Sequence, residues 1–177
     1  PLQIFMYQID KLNIRELFNL AVLNQKKNNL VDAKKLYNQI LNLHPKFIEA
    51  YNNLGLIYRS EGENEKAIQC YEKIIRINPN LIEAHNNLGL IFQKIGKNKK
   101  AKECYQKIIK IDPNFIMAQY NLGLVLRQLG ESENALSCFK KVIEINPSIV
   151  NAHNNLGITY ADLGRYKEAI DCYIIAL

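Results

Sequence analysis

The stretch Asn52-Asn53-Leu54-Gly55 returns along this chain at a constant interval, and this recurrence decides the fold. It recurs as Asn86-Asn87-Leu88-Gly89 and as Asn154-Asn155-Leu156-Gly157, while Tyr120-Asn121-Leu122-Gly123 occupies the place between them. Each copy begins 34 residues after the previous one. Self-similarity at this period is typical of a repeated pair of helices joined by a turn. We number the positions of the repeat so that these glycines stand at position 8.

The remaining glycines and nearly all prolines follow the same period. At position 15 the chain has Gly62, Gly96, Gly130 and Gly164, and a looser first repeat has Asn28 there. Glycine suits a left-handed residue that ends a helix, and asparagine is its best substitute. Apart from Pro1, every proline is at position 32: Pro45, Pro79, Pro113 and Pro147. Because proline and the residue before it disfavour helix, the second helix of each pair should end there.

Small and apolar residues predict how the helices pack. Glycine at position 8 and alanine at position 20 should let two antiparallel helices approach closely. The apolar positions of one repeat follow helical spacing, with Tyr51, Leu54, Ile57 and Tyr58 on the first helix and Ala67, Ile68, Tyr71, Ile74 and Ile75 on the second. The sequence therefore predicts an all-α fold of stacked antiparallel helix pairs.

These positions resemble the tetratricopeptide-repeat (TPR) pattern of Leu-Gly, an aromatic residue, Ala, a second aromatic residue and Pro. The matching residues of one repeat are Leu54, Gly55, Tyr58, Ala67, Tyr71 and Pro79. The resemblance implies a right-handed α-solenoid, the TPR superhelix, and a non-catalytic scaffold that binds proteins. One departure is the usual Trp near position 4, which is replaced by Leu17, Tyr51, His85, Gln119 and His153.

The period divides the chain into five repeats. The predicted boundaries are 14–47, 48–81, 82–115, 116–149 and a truncated 150–177. Residues 1–13 fit the period poorly, and we expect them to be an N-terminal helix or the remnant of a preceding repeat. The apolar residues of that segment are Ile4, Phe5, Tyr7 and Ile9.

Composition and charge limit the kinds of partner and the cellular location that we expect for the chain. The chain has 23 basic and 17 acidic residues, a net charge of +6, and the two signs are mostly interspersed. No apolar run approaches the roughly 18 to 20 residues that span a bilayer, and Pro1-Leu2-Gln3-Ile4 lacks the features of a signal peptide. We expect no membrane contact and an intracellular location, cytoplasmic or nuclear. The missing initiator Met and the end at Leu177 suggest a segment of a longer protein.

Four cysteines invite a metal or disulfide interpretation, but all occupy position 23: Cys70, Cys104, Cys138 and Cys172. Adjacent helices lie roughly 8 to 10 Å apart, whereas a disulfide needs Cα atoms within about 7 Å and zinc needs four converging ligands. We therefore predict that the four cysteines are packing residues.

His85 and His153 lie two repeats apart and are predicted to be satisfied structural histidines. With every glycine explained by the repeat, we expect no catalytic residue, metal or cofactor in this segment.

The densest charge cluster surrounds the turn of the third repeat. It consists of Lys94, Lys97, Lys99, Lys100 and Lys102. Such a group can contact phosphates or an acidic partner, but it lacks the interleaved aromatic residues that stack on bases. We predict a solvated turn in preference to a nucleic-acid site.

Asparagine occupies position 6 in every repeat: Asn19, Asn53, Asn87, Asn121 and Asn155. Asparagine in mid-helix is unfavourable by a few tenths of a kcal/mol, so its recurrence requires a reason. An amide offers both a donor and an acceptor, which matches the backbone of an extended peptide. In the family that these repeats resemble, this stripe faces the concave groove. The O-linked N-acetylglucosamine transferases carry a similar asparagine ladder, and Ala-His-Asn-Asn-Leu-Gly at 84–89 and 152–157 strengthens that similarity.

Two further positions complete the predicted peptide-binding site. Position 9 is aliphatic throughout, as Val22, Leu56, Leu90, Leu124 and Ile158, and should form an apolar floor. Position 5 should flank the ladder, as Asn52, Asn86, Tyr120 and Asn154. The alternative for position 6 is a partly structural asparagine common to the family, and for position 9 it is contact with neighbouring helices.

Three other functions remain open. A carboxylate clamp like that of chaperone-binding repeats would use Arg15, Asn19 and Asn53, but Glu83 and Asn87 stand where its second half needs basic residues. A second alternative is a segment that recruits substrates for a larger enzyme, such as a glycosyltransferase, whose catalytic part lies outside these residues. Finally, the apolar end at Ile174, Ile175, Ala176 and Leu177 predicts self-association or stacking on further repeats in a structural subunit.

Overall fold

The computed structural model describes residues 13–177, and all regular secondary structure in this range is α-helical. The all-α prediction is therefore confirmed. The expected N-terminal helix or repeat remnant, with Ile4, Phe5, Tyr7 and Ile9, falls on residues outside this described range. Ten helices are present in the described range: α1 Ile14–Lys26, α2 Leu30–Leu43, α3 Ile48–Ser60, α4 Asn64–Ile77, α5 Ile82–Lys94, α6 Asn98–Ile111, α7 Ile116–Gln128, α8 Ser132–Ile145, α9 Val150–Asp162 and α10 Tyr166–Ala176.

The chain divides into two compact units, one ending at Ala84 and one running from His85 to Leu177. In the first unit α1 pairs with α2 and α3 pairs with α4, while α2 also packs on α3. In the second unit α7 pairs with α8 and α9 pairs with α10, while α6 packs on α7 and α8 packs on α9. Successive helices within each unit are antiparallel.

Each unit has its own apolar core. In the first unit the buried cluster contains Leu17, Ala21, Ala33, Leu36, Tyr37, Ile40, Ala50, Leu54, Ile57 and Cys70. In the second, the buried residues include Leu88, Ile91, Tyr105, Ile108, Leu122, Val125, Phe139 and Val142. The helical spacing that predicted the apolar faces is thus reproduced in both units.

The left-handed turns predicted at position 15 are present. Gly62 has a φ of +79°, and Asn28, its counterpart in the first pair, has a φ of +59°. After α3 the Gly62 amide donates to the Arg59 carbonyl at 3.2 Å, and the next amide, that of Glu63, donates to Tyr58 at 2.8 Å. These two bonds satisfy carbonyls at the helix end, and the same pair of bonds follows α1. Asparagine therefore closes the first pair in the way that glycine closes the others.

The prolines at position 32 also act as predicted. The helix α4 ends at Ile77, two residues before Pro79, and α6 ends at Ile111, two residues before Pro113. Both intervening residues are extended, as the steric demand of a following proline requires.

The glycines at position 8 leave space for the aromatic ring at position 24, and not for the backbone of a neighbouring helix. A Cβ added to Gly123 would lie 2.7 Å from Cζ of Phe139, the aromatic residue at position 24. The other three glycines at position 8 would meet the tyrosine at position 24 of their own repeat at 2.7 or 2.8 Å. This contact refines the sequence-based expectation, because the close approach is between a helix backbone and an aromatic side chain.

In the second unit, polar side chains at position 4 form hydrogen bonds to the turns between helix pairs. Gln119 donates to the Pro113 carbonyl at 3.0 Å, and His153 Nε2 lies 2.8 Å from the Pro147 carbonyl. Because a carbonyl oxygen only accepts, His153 must carry its proton on Nε2. Both side chains are buried. The bond confirms that His153 is a satisfied structural histidine, and it gives the polar residues at position 4 of these two repeats a role in the turn.

Exchange of His153 for leucine or glutamine tests this role. We expect His153→Leu to lower the free energy of unfolding by about 1 kcal/mol, because the Pro147 carbonyl loses its donor. His153→Gln should cost clearly less, since Gln119 already makes the equivalent bond one repeat earlier. Urea denaturation of both variants measures the difference. Equal losses would show that ring packing, and not the hydrogen bond, holds the turn.

Candidate peptide-binding face

The asparagines at position 6 lie on the first helix of each pair. In the first unit Asn19 is exposed on α1, and Asn53 is half-buried on α3. The Asn53 side chain donates to the Tyr37 hydroxyl at 2.9 Å, and that hydroxyl donates to Gln25 at 2.7 Å. The bond from Asn53 lowers the pKa of Tyr37, but burial outweighs it and raises the pKa above its ordinary value. The phenol therefore stays neutral and holds one N–H of the Asn53 amide.

In the second unit, Asn155 is held by a similar contact. Its Nδ2 donates to the Tyr120 hydroxyl at 2.9 Å and to the Asn151 carbonyl at 2.8 Å. Because the Asn151 carbonyl only accepts, the orientation of the amide is defined. The amide oxygen lies 3.5 Å from Nη1 of Arg127. Two predicted site residues, Tyr120 and Asn155, are thus brought together across 35 positions of sequence.

The other asparagines of the ladder, Asn87 on α5 and Asn121 on α7, are half-buried. Within residues 13–177 the Asn121 side chain forms no hydrogen bond, so both ends of its amide are available. At position 5, Asn52 and Asn86 are half-buried and Asn154 is exposed. The Asn86 oxygen is buried and has no hydrogen-bond partner among the described residues.

The aliphatic residues at position 9 are all half-buried. They do not form a fully exposed strip, yet each keeps part of its side chain accessible. These residues are Val22, Leu56, Leu90, Leu124 and Ile158.

Of the residues that a carboxylate clamp would use, Arg15 and Asn19 are exposed on α1. Glu83, which opposes such a clamp, is also exposed.

The chemistry of the face follows from these bonds. Both N–H groups of Asn155 and one of Asn53 are used internally, so the groups left over are mainly amide oxygens. An amide oxygen accepts from a peptide N–H. Because their donor ends are anchored, these oxygens have little side-chain freedom to lose on binding, which favours recognition.

The residues at position 12 bond to neighbouring polar groups, and sequence reasoning missed them. Gln25 and Arg127 thereby join the bonds of Asn53 and Asn155. Gln25 and Gln93 accept from the Tyr37 and Tyr105 hydroxyls, at 2.7 and 3.2 Å. Arg127 stands at the same position beside Phe139, which has no hydroxyl, and it pairs instead with Asp162 at 3.0 Å. The 34-residue spacing of these polar residues was a signal that could have revealed them.

The four cysteines at position 23 are buried and unpaired, with exposures of 7 or 8 %. Residues 13–177 contain no group of His, Cys, Asp and Glu side chains able to hold a metal ion. Burial raises the pKa of Cys70 and Cys138 to about 11 and that of Cys104 to about 12. The thiols are therefore protonated at neutral pH and act as small apolar packing groups.

This burial predicts a pH dependence of stability. Unfolded thiols ionise near pH 9.0, whereas the folded thiols of Cys70 and Cys138 ionise only near 11. Between these values the native state holds more protons, so the free energy of unfolding should fall as pH rises from 9 through 11. Urea denaturation across this range measures the fall, and Cys104→Ala should reduce its slope. Rapid labelling of the native thiols at neutral pH would contradict the proposed burial.

No helix within residues 13–177 combines the length and apolar character required to cross a bilayer. The predicted site residues all lie on the first helix of a pair, whereas the lysine cluster spans the end of α5, the turn and the start of α6.

Comparisons with known proteins agree with that architecture. Five family models described as "TPR repeat" or "Tetratricopeptide repeat" match residues 17–46, 36–69, 55–96, 82–115 and 115–177. Together these matches run without a gap from residue 17 to residue 177. No curated protein matches the chain significantly by sequence.

Solved structures resemble the chain over most of its length. A structure described as "YrrB: a TPR protein with an unusual peptide-binding site" is 26% identical, with a TM-score of 0.83, covering 97% of this chain and 90% of that one. A crystal structure of MamA is also 26% identical, with a TM-score of 0.82 and coverage of 88% and 91%. MamA from Desulfovibrio magneticus RS-1, at 18% identity and a TM-score of 0.83, covers 92% of each chain and supports the fold alone. The chain is a tetratricopeptide-repeat protein.

Proposed function

We propose that this chain is a protein-interaction scaffold that binds extended peptide segments through the asparagine ladder. The observation that carries the proposal is the asparagine at position 6 of all five repeats. Its support in the structure is the anchoring of Asn53 through one N–H and of Asn155 through both, while their oxygens keep acceptor capacity. Repeats of this family are typically non-catalytic, which agrees with a binding role.

The proposal applies to each unit by itself. In the first unit the contacts would come from Asn19 and Asn53, with Asn52 beside them. In the second they would come from Asn87, Asn121 and Asn155, with Asn86, Tyr120 and Asn154 beside them. The half-buried aliphatic residues at position 9 would take apolar side chains of the peptide. The similarity to YrrB, described as having a peptide-binding site, supports the same class of ligand.

A lysate pull-down read by mass spectrometry tests the ladder. The variant Asn121→Ala is the sharpest probe, because Asn121 makes no hydrogen bond within residues 13–177 and its loss should leave stability unchanged. We expect it to reduce retention of a defined set of partners, and a fourfold Ala variant at Asn53, Asn87, Asn121 and Asn155 to abolish it. The matched control is Asn38→Ala, which removes an exposed asparagine from the second helix of a pair.

Circular dichroism of each variant shows whether the helices are intact, so loss of partners can be separated from loss of fold. Partners retained by the folded fourfold variant would rule out the ladder as the binding surface. Partners lost equally in Asn38→Ala would show that the effect is not specific to position 6.

A second candidate function, self-association, is favoured by the exposed apolar residues of α10. Tyr166, Ile170, Ile174 and Ile175 are each more than half exposed. The residues equivalent to Ile174 and Ile175 are polar in the other four repeats, as in Lys140 and Lys141. Light scattering should show mass increasing with concentration, and Ile174→Lys with Ile175→Lys should suppress the increase. A monomer at every concentration would exclude this candidate.

Recruitment of substrates for a glycosyltransferase is a third proposal. It rests on the asparagine ladder and on the two Ala-His-Asn-Asn-Leu-Gly stretches.

A further inference from the structure

The net charge of the chain is concentrated in one short segment of the second unit. Residues 94–111, from the last residue of α5 to the end of α6, contain seven lysines and one glutamate. Their net charge of +6 equals that of the whole chain, because the other residues contain sixteen basic and sixteen acidic side chains. We call residues 94–111 the basic segment. Its lysines are Lys94, Lys97, Lys99, Lys100, Lys102, Lys107 and Lys110.

The first turn of α6 differs from that of the equivalent helices. Each of the others has an acidic residue there, namely Asp32 in α2, Glu65 in α4, Glu133 in α8 and Glu168 in α10. The turn in α6 has none, and Lys99 and Lys100 occupy it instead. Cations are disfavoured at a helix N-terminus because the unpaired N–H groups give it partial positive charge. Folding therefore does not account for these lysines.

Most of these lysines are available to a partner. Lys102 is paired with Glu131 at 2.7 Å, and the Lys100 ammonium lies 5.4 Å from the centre of the Phe92 ring. Within residues 13–177, the other five lysines of the basic segment form no ion pair. Lys94, Lys97, Lys99, Lys100 and Lys110 are exposed. The carboxylate of Asp112, which follows the segment, accepts from the Asn114 amide in the turn.

We propose that the exposed face of α6 is a second interaction surface, which binds an acidic, extended polypeptide segment rich in Asp and Glu. Lys99 and Lys110 are eleven residues apart, three helical turns, and so lie on the same face about 16 Å apart along the axis. An extended chain advances about 3.3 Å per residue, so about six residues cover that distance. The ligand is thus an acidic stretch of at least about six residues.

The surroundings favour a polypeptide over nucleic acid or lipid. The nearby aromatic residues, Phe92 and Tyr105, are buried at 5 % and 0 % exposure and cannot stack on bases. No large hydrophobic side chain is exposed between residues 94 and 111, so nothing there inserts into a bilayer. The exposed Glu103 lies between Lys99 and Lys110 on this face, so the surface offers net positive charge on flexible stems, which suits carboxylates on an adaptable chain.

Fluorescence anisotropy with a labelled peptide of about twelve glutamates tests the proposal. We expect the protein to bind it at about 50 mM salt and to lose at least about tenfold in affinity at about 200 mM, since exposed charges are screened. The triple variant Lys99→Glu, Lys100→Glu and Lys110→Glu should lose at least about tenfold at the lower salt concentration. Glutamate at 99 and 100 restores acidic character to the first turn, so this variant should fold.

The matched control is Lys35→Glu, Lys46→Glu and Lys73→Glu, which changes the net charge equally at exposed sites of the first unit. It should stay within about threefold of the wild type. Equal losses in the two variants, or no binding by the wild type, would overturn the proposal. Tighter binding of a DNA duplex or of phosphatidylserine vesicles at the same salt would assign the surface to that ligand instead. The triple lysine variant should retain the lysate partners that the fourfold Ala variant of the ladder loses, which keeps this test separate from that of the asparagine ladder.

Discussion

Phe139→Ala is expected to lower the free energy of unfolding by about 3 to 5 kcal/mol. The Phe139 ring is fully buried on α8, lies against the backbone of Gly123 on α7, and meets the Tyr120 ring edge-on at 5.9 Å. Truncation removes these contacts and leaves a cavity, because the glycine opposite has no side chain to fill it. Urea denaturation followed by circular dichroism measures the loss.

Two controls define the origin of that loss. Phe139→Tyr keeps the ring, and tyrosine stands at this position in the other four repeats, so its cost should be below about 1 kcal/mol. Met117→Ala removes a side chain that is 54% exposed, and it should change stability by no more than about 0.5 kcal/mol. A loss below about 1 kcal/mol in Phe139→Ala would mean that the ring does not fill the space beside Gly123. Hydrogen exchange should place the destabilisation in α7 and α8, because repeats couple mainly to their neighbours.

Gly130→Val is expected to cost about 2 to 3 kcal/mol, the second largest effect among these predictions. Gly130 has a φ of +75°, and a β-branched residue is strongly disfavoured in that conformation. No heavy atom lies within 4 Å of a Cβ added there, so the cost is conformational and not steric crowding by a neighbour. The turn itself must be kept, since the Gly130 and Glu131 amides donate to carbonyls of α7 at 2.9 and 2.8 Å.

The first repeat supplies the control for this substitution. Asn28 occupies the equivalent position with a φ of +59°, so Gly130→Asn should cost less than about 1 kcal/mol. Thermal or urea denaturation of the two variants compares them directly. Equal costs for valine and asparagine would show that the left-handed conformation is not what limits this position.

Much of the fold was predictable because it depends on short-range preferences that repeat. The ends of α3 and α4 follow from Gly62 and Pro79, whose backbone restrictions act on adjacent residues. The burial of the cysteines follows from one position on an apolar helical face. The resemblance to TPR proteins predicted the fold class, and the family models support that assignment.

The candidate site was predictable only in part. The recurrence of asparagine at position 6 pointed to Asn53 and Asn155, but not to their bonds with Tyr37 and Tyr120. It also gave no indication that Gln25 bonds to the same Tyr37 hydroxyl as Asn53. These bonds depend on side-chain directions that only the packed helices define.

The sequence by itself determined the 34-residue period, the helix ends, the apolar faces and the roles of the glycines at position 15 and the prolines at position 32. Local conformational preferences and helical spacing suffice for those features. Only the tertiary structure decided which groups of the ladder amides stay available, and that the position-8 glycines accommodate an aromatic ring. The reason is that Asn155 and Tyr120 are 35 residues apart, so their contact exists only once the helices of the second unit have packed.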